Sequence, residues 1–179
     1  MGQDVEKRTF TGEDRQRYRQ KVRRSLDVFA QMLRESRFDF ERPQTGLEIE
    51  LNLVDDRAEP AMCNADVLAA IADPDFQTEL GQFNVELNLA PSRLQGRVLH
   101  GSEGELADVL DACRARIEGL GVRLVAVGML PTLSAEQLTV ERISGNPRYA
   151  LLCRRMRAAR HSPFLVHIMD GCEPVEFTT

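Results

Sequence analysis

Two short runs in the middle of the chain carry the residues with the clearest chemical potential. They nearly repeat each other, as Gly46-Leu-Glu-Ile-Glu-Leu-Asn-Leu53 and Gln82-Phe-Asn-Val-Glu-Leu-Asn-Leu89. Apolar and polar residues alternate strictly in both runs, and successive side chains of a β-strand point to opposite faces of the sheet. If the runs are neighbouring strands, Glu48 and Glu50 project side by side from the first run. Glu86 of the second run then comes within reach of the same ion across the sheet.

The charge around these acids is one-sided. Residues 43–92 hold ten acidic residues and one basic residue, whereas residues 1–42 and 93–179 are close to balance. Carboxylates that lie close together without a cation repel each other, and their pKa values rise. Hard divalent cations prefer oxygen ligands. The pattern therefore predicts a divalent-cation site that uses Glu48, Glu50 and Glu86, with a solvated sheet face as the alternative.

Glu79 is a further candidate ligand for the same cation. It precedes Glu86 by seven positions, across a bend that we expect at Gly81. Magnesium prefers octahedral oxygen ligation, with one or two carboxylates, retained waters and substrate phosphates. Taken alone, Glu79 is more typical of a surface acid, so its assignment depends on its neighbours.

Arg148 and Tyr149 are candidates for substrate binding, because they open a predicted helix directly after Asn146-Pro147. A helix N-terminus attracts anionic groups, and an arginine can bind a carboxylate through two hydrogen bonds. A capped helix with an exposed arginine is the alternative. The same helix carries four more arginines, Arg154, Arg155, Arg157 and Arg160. On a chain of net charge −5 they are more typical of a solvated face than of a nucleic-acid interface.

The elements that must position these residues alternate between helix and strand. The patterns predict helices at 12–36, 65–72, 102–120 and 147–160, with Thr11, Asn64 and Asn146 as caps. Strands are predicted at 45–54, 76–80, 82–89 (ended by Pro91), 122–130 and 164–169, and no clear element after Cys172. This is an α+β fold, with a mainly antiparallel sheet, helices on its apolar face and an open polar face. We expect residues 1–179 to form a single domain that is an incomplete part of a larger catalytic sheet.

Several function classes have no support in the sequence. No stretch approaches the roughly 20 apolar residues of a membrane span, and the polar, Arg-rich N-terminus is unlike a secretory signal. We therefore expect a cytoplasmic protein. The four cysteines and three histidines are too scattered for a zinc site or a disulfide framework. No nucleophilic triad, P-loop or dinucleotide fingerprint is present.

Four segments together resemble the type 2 glutamate–cysteine ligase family. They are Thr45-Gly-Leu-Glu-Ile-Glu-Leu-Asn-Leu-Val54, Asp73-Pro-Asp-Phe-Gln-Thr-Glu-Leu-Gly-Gln-Phe-Asn-Val-Glu-Leu-Asn88, Leu130-Pro-Thr-Leu133 and Asn146-Pro-Arg-Tyr-Ala-Leu-Leu152. The resemblance is to the N-terminal part of the family and covers nearly the whole chain. Members are carboxylate–amine ligases, with a catalytic sheet similar to that of glutamine synthetase.

The resemblance implies an activity and a role for each candidate. The chain would join the γ-carboxylate of glutamate to the amine of cysteine through an acyl phosphate, with ATP as co-substrate and Mg²⁺ as cofactor, in glutathione-type thiol biosynthesis. The catalytic acids would be Glu48, Glu50 and Glu86, which with Glu79 would hold the metal, and Arg148 and Tyr149 would bind substrate. The expected partners are these small molecules, with no nucleic acid and no membrane, and a homo-oligomer or a complementing chain stays open. The alternative is a non-catalytic remnant, or a domain that binds a partner or a divalent cation.

Overall fold

The computed structural model describes residues 9–160, 165–170 and 173–178. Four helices occur in these ranges, α1 (Gly12–Arg34), α2 (Asn64–Ile71), α3 (Val98–Ile117) and α4 (Pro147–Arg160). The strands are β1 (Gln44–Val54), β2 (Phe76–Thr78), β3 (Asn84–Arg93), β4 (Arg123–Val125), β5 (Leu165–Asp170) and β6 (Glu173–Thr178). Short 3₁₀ turns at Ala135–Gln137 and Val140–Arg142 precede α4.

The central sheet has the order β2-β3-β1-β4, and each neighbouring pair is antiparallel. The two repeated runs lie side by side, with Glu50 opposite Glu86 and Leu51 opposite Val85. Because side chains alternate along a strand, this register collects the apolar residues of both runs on one face and their acids and amides on the other. The structure therefore confirms the predicted α+β fold and its antiparallel sheet.

The hydrophobic core lies between the apolar face of this sheet and the helices α2 and α3. Leu53, Val85 and Leu87 are completely buried on the sheet side, and Val67 of α2 and Cys113 of α3 meet them. Burial of a side chain of this size contributes about 1.5–3 kcal/mol. It also raises the pKa of the Cys113 thiol to about 11, because the thiolate is poorly solvated there. Within the described residues the helices of this core pack on the apolar face, and on the polar face Glu48 and Glu50 are exposed.

Helix α1 differs from the core helices α2 and α3, because none of its residues is buried. It begins with a capping box, in which Thr11 and Asp14 bond each other's backbone N–H groups, as expected for a Thr cap. Its apolar stripe includes Leu26, Phe29 and Leu33, all at least half exposed. Phe29 meets Phe38 edge to face, with ring centroids 6.1 Å apart.

Two predicted strand ends are wrong. Pro91 does not end β3, which continues to Arg93 because Thr45 and Gln44 pair with Ser92 and Arg93. The register shifts between Thr45 and Leu47, and an irregularity of this kind accommodates a residue that has no N–H to donate. The predicted strand at 122–130 is reduced to Arg123–Val125, which pairs with the last three residues of β1. Beyond Val125 the carbonyl of Val127 accepts from the Asn52 side chain at 3.0 Å instead of continuing the ladder.

Three further boundaries differ from the sequence prediction. Helix α3 begins at Val98, four residues before the predicted start, and Ser102 bonds the carbonyl of Val98 inside the helix instead of capping it. Asn64 is the first residue of α2 and not its cap, because its side chain is engaged elsewhere. The segment after Cys172 does form a strand, β6, which pairs with β5 in a separate two-stranded sheet. A hairpin partner stabilises this short segment in a way that its own pattern does not show.

Candidate functional site

The register of β1 and β3 builds a polar surface around one pair of acids. Glu50 lies directly opposite Glu86, with the pair Asn52 and Asn84 on one side. The amide nitrogen of Asn84 donates to the Oδ1 of Asn52 at 2.8 Å, so the two amides are locked together. Two carboxylates that face each other across a strand pair are destabilising unless a proton or a cation lies between them.

Glu79 joins this pair from the turn between β2 and β3. Its carboxyl group lies close enough to those of Glu86 and Glu50 for both to act on its ionisation. Burial is the main cause of the raised pKa of Glu79, and the neighbouring carboxyl groups of Glu86 and Glu50 raise it further. The N–H of Leu80 donates to the Glu79 carboxylate at 2.7 Å and opposes this shift. The charges of Glu50 and Glu86 therefore disfavour the ionised form of Glu79.

Asn88 holds an unpaired acceptor beside Glu86. Its amide nitrogen donates to Glu86 at 2.5 Å. Its Oδ1 atom is buried and has no hydrogen-bond partner within the described residues. A buried acceptor without a partner is costly, so this oxygen is suited to a donor or a cation that the protein itself does not supply.

Glu48 lies at the edge of the group. It is exposed and stands opposite Asn88, two positions from Glu50 on the same face of β1. The structure thus brings Glu50, Glu79 and Glu86 together and leaves Glu48 one step away. The metal-ligand and catalytic roles of all four acids stay predictions.

The donors fit magnesium chemically, although they do not form a complete site. In the described part of the chain, no group of three or more His, Cys, Asp or Glu side chains has the arrangement of a metal site. No salt bridge between described residues involves any of the four acids. Magnesium needs only one or two protein carboxylates when water and phosphate oxygens complete its shell. A close carboxylate pair, a free amide oxygen and the lack of an arginine partner meet that requirement.

Two buried residues that the sequence analysis missed hold the Glu79 turn in place. Asn64 and Ser144 are 3% and 4% exposed. The amide nitrogen of Asn64 lies within 3.1 Å of the carbonyls of Gly81 and Asn84 and 2.7 Å from the Ser144 hydroxyl. That hydroxyl contacts the carbonyl oxygens of Glu79 and Gly81. The sequence gives no local signal of this network, because Asn64 and Ser144 are 80 positions apart.

A strap formed by residues 141–144 closes over the turn. The N–H of Gln82 donates to the carbonyl of Arg142 at 2.9 Å, and the N–H of Ser144 donates to the carbonyl of Leu80 at 2.8 Å. The Gln82 side chain bonds the carbonyls of Glu141 and Ile143, each at 3.0 Å. The position of Glu79 is thus fixed from both sides by backbone contacts distant in sequence.

The start of α4 reaches the same turn. Asn146 caps the helix as predicted, since its Oδ1 accepts from the N–H of Arg148 at 2.9 Å. The hydroxyl of the buried Tyr149 donates to the carbonyl of Thr78 at 2.8 Å, directly before Glu79. The Arg148 guanidinium lies over the Tyr149 ring, 5.0 Å from its centroid, and donates to its hydroxyl at 3.2 Å. Tyr149 therefore holds both its own hydroxyl and the Arg148 guanidinium near the Glu79 turn, and the substrate-binding role of both residues stays a prediction.

Comparison with known protein families decides the family. Residues 44–165, more than half of the chain, match the family model described as glutamate-cysteine ligase family 2 (GCS2). The chain belongs to this family. It is a family of glutamate–cysteine ligase-like carboxylate–amine ligases, as the sequence resemblance indicated. Comparison with curated proteins and with solved structures gives no match.

The GCS2 match includes both repeated strands, the Glu79 turn and the start of α4. All six predicted site residues of this GCS2 chain therefore lie within the matched range, and so do Asn64 and Ser144. Helix α1 lies outside it. Cys63, Cys113 and Cys153 are free thiols in the structure, and Cys172 falls outside the described residues. No described helix is long and apolar enough to cross a bilayer.

Proposed function

We propose that the acidic face of the sheet is the metal and substrate surface of an ATP-dependent glutamate–cysteine ligase. One observation carries the proposal. In a GCS2 chain, Glu50, Glu79 and Glu86 meet on one face of the sheet, and no Lys or Arg of the described residues forms a salt bridge to them. Acids held together at an energetic cost are typical of a functional site.

The reaction that we propose has two steps. An oxygen of the glutamate γ-carboxylate attacks the terminal phosphorus of ATP, and ADP leaves. The amine of cysteine then attacks the acyl carbon, inorganic phosphate leaves, and the amine nitrogen loses a proton. Magnesium, when bound, neutralises the phosphate charge that repels the incoming carboxylate.

The chain's own residues supply binding and orientation. Glu50 and Glu86 hold the cation from neighbouring strands, with Glu79 and Glu48 as further ligands from the two ends of the group. Glu79 is also placed to accept the N–H groups of a substrate ammonium, because its turn is fixed by Asn64 and Ser144. Arg148 is held on the Tyr149 ring at the same turn, where it can bind the substrate α-carboxylate in a bidentate manner. As the sequence analysis predicted, we infer that this chain forms part of the active unit.

The proposal is tested by ADP release with the active unit that contains this chain. We expect release that requires glutamate, an amine substrate and magnesium together. Replacing Glu48, Glu50 or Glu86 with Gln should lower it by at least about 100-fold, because each change removes one negative ligand from the site. Glu105→Gln, an equal charge change at an exposed position of α3, is the matched control. A Glu86→Gln variant with the full rate of product formation would remove the assignment.

A second candidate function is divalent-cation binding without ligase activity. The unpartnered Oδ1 of Asn88 favours it, because this acceptor beside Glu86 suits a cation whether or not ATP is present. Magnesium-induced thermal stabilisation that is independent of ATP and amino acids, without ADP release, would support this function over the ligase.

A further inference from the structure

A second charged surface, of opposite sign, lies between the first half of α1 and α4. Residues 15–24 hold six basic residues and no acidic one. Four of these six basic residues, together with Arg155 of α4, line an open groove with a volume of about 600 Å³. Its lining residues are Phe10, Asp14, Arg15, Arg17, Tyr18, Arg19, Lys21 and Arg155. None of them belongs to the acidic face of the sheet, so the groove is a separate feature.

The cations of the groove outnumber the anions by five to one. The single acid, Asp14, is engaged, because its carboxylate accepts from the backbone and hydroxyl of Thr11 at 2.9 Å. Among the residues that the structure describes, no salt bridge involves any of the five cations. Like charges around one concave surface repel each other, and a bound anion removes that repulsion.

Aromatic rings stand between these cations. Arg155 of α4 lies over the Phe10 ring, 5.4 Å from its centroid, and Arg15 donates to the carbonyl of Phe10 at 3.2 Å. These contacts join the two helices at one wall of the groove. Tyr18 is 69% exposed and presents its ring between the pairs Arg17–Lys21 and Arg15–Arg19, each four residues apart along the helix.

We propose that this groove binds a small ligand that carries several phosphate groups. Guanidinium groups bind phosphate through paired hydrogen bonds, and the excess of four positive charges matches a triphosphate chain. The volume is that of a small-molecule site, which favours a compact ligand over a polymer. The exposed Tyr18 ring can stack on a planar base, so the triphosphate can come from a nucleotide or from inorganic polyphosphate.

The experiment measures binding of inorganic tripolyphosphate to the full chain by calorimetry, without divalent metal, at low and at moderate salt. We expect saturable 1:1 binding that weakens with salt. The double variant R17Q/R19Q should weaken it at least about tenfold, because two phosphate-binding groups are lost. The matched control is R23Q/R24Q, which removes the same charge from the next turn of α1, outside the groove. No residue of α1 is buried, so both variants should keep the fold.

A second arm distinguishes the source of the phosphates. If the ligand is a nucleotide, Tyr18→Ala weakens binding of a nucleoside triphosphate and leaves tripolyphosphate binding unchanged. If Tyr18→Ala changes the affinities for the nucleoside triphosphate and for tripolyphosphate equally, the ring does not stack on a base, and the ligand is inorganic polyphosphate. Glu86→Gln should change neither affinity without metal, which separates this site from the proposed ligase site.

Three results would overturn the proposal. Equal losses in R17Q/R19Q and R23Q/R24Q would show a diffuse attraction to the net charge of α1. Absence of tripolyphosphate binding, together with binding of single-stranded RNA, would show a nucleic-acid interface. Absence of tripolyphosphate binding, together with binding to vesicles rich in phosphatidylserine, would show a lipid-binding helix.

Discussion

The two repeated strands share a sequence pattern but differ in what surrounds them. β3 has a strand on each side, β2 and β1, whereas the first half of β1 pairs with β3 alone within the described residues. Val85 and Leu87 are completely buried in β3, whereas Leu47 at the start of β1 is 37% exposed. The number of neighbours, and not the local pattern, decides how much each strand contributes to stability.

The same difference applies to the acids. Glu86 of β3 is half-buried, receives a hydrogen bond from Asn88 and lies close to Glu79. Glu48 and Glu50 of β1 are exposed. Equivalent positions in two similar runs thus give one acid that is held in a network and two that face solvent. A substrate or cation that binds here would contact Glu86, which is held in place, and Glu48 and Glu50, whose exposed side chains can adjust.

The largest expected effect tests the difference in burial. Leu87→Ala should lower the free energy of unfolding by about 2–5 kcal/mol, because it leaves a cavity among Leu51, Val85 and Ile117 of the same core. Leu47→Ala, on the same face of the sheet, should cost less, about 1 kcal/mol, because Leu47 keeps 37% of its surface exposed in the folded chain. Urea unfolding of both variants measures the two values. Equal losses would contradict the comparison.

The next prediction concerns the glycine near the start of each run. A Cβ atom on Gly81 would lie 2.7 Å from the Phe83 ring and 2.8 Å from the Asn84 side chain, so Gly81→Ala should cost on the order of 1–3 kcal/mol. A Cβ atom on Gly46 would lie 3.7 Å from its nearest neighbour, Pro91. Gly46→Ala should therefore be nearly neutral in thermal unfolding. Loss of stability in Gly46→Ala alone would show that the crowded site is on β1.

A smaller effect is expected when the turn loses its fixing hydroxyl. Ser144→Ala removes the contacts with the carbonyls of Glu79 and Gly81 and should cost on the order of 1 kcal/mol. In the proposed ligase it should also raise KM for the amino acid substrate more than it lowers kcat, because Glu79 is displaced. Ser25→Ala, at an exposed position of α1, is the control. Unchanged KM with lowered stability would leave Ser144 with a structural role alone.

The smallest prediction is a gain in stability. Because the pKa of Glu79 is raised in the folded state, the native chain holds a proton that the unfolded chain releases, and stability falls as pH rises above the ordinary carboxyl range. Glu79→Gln removes this pH-dependent loss of folding stability, because glutamine does not ionise. The variant should be more stable than the wild type at about pH 7 and equal to it at about pH 3.5, below the ordinary pKa of Glu.

Urea midpoints at the two pH values measure this effect, and added magnesium should stabilise the wild type more than the variant. Glu105→Gln, far from the acidic face in sequence and exposed, should show no such dependence. A Glu79→Gln variant that is less stable at neutral pH would contradict the proposed repulsion.

The outcome of the sequence predictions follows the range of the interactions involved. The caps Thr11 and Asn146 and the alternation of both runs depend on residues a few positions apart, and the structure confirms them. Asn64 has the right type for a cap, but its amide bonds Ser144, 80 positions away, and that contact leaves no local trace. The shortened β4 and the added β6 were missed for the same reason, since the first depends on a contact of Val127 with Asn52 and the second on pairing with β5.

The sequence by itself determined that two alternating runs carry acids on one face with few basic residues nearby, because side-chain direction in a strand follows from backbone geometry. It also carried the family likeness, through motifs that need no structure to be compared. Only the tertiary structure decided that Glu50 faces Glu86, that Glu79 joins them and that Glu48 stands aside. Those placements depend on strand register and on a turn held by Asn64 and Ser144, and both arise from contacts between residues that are far apart along the chain.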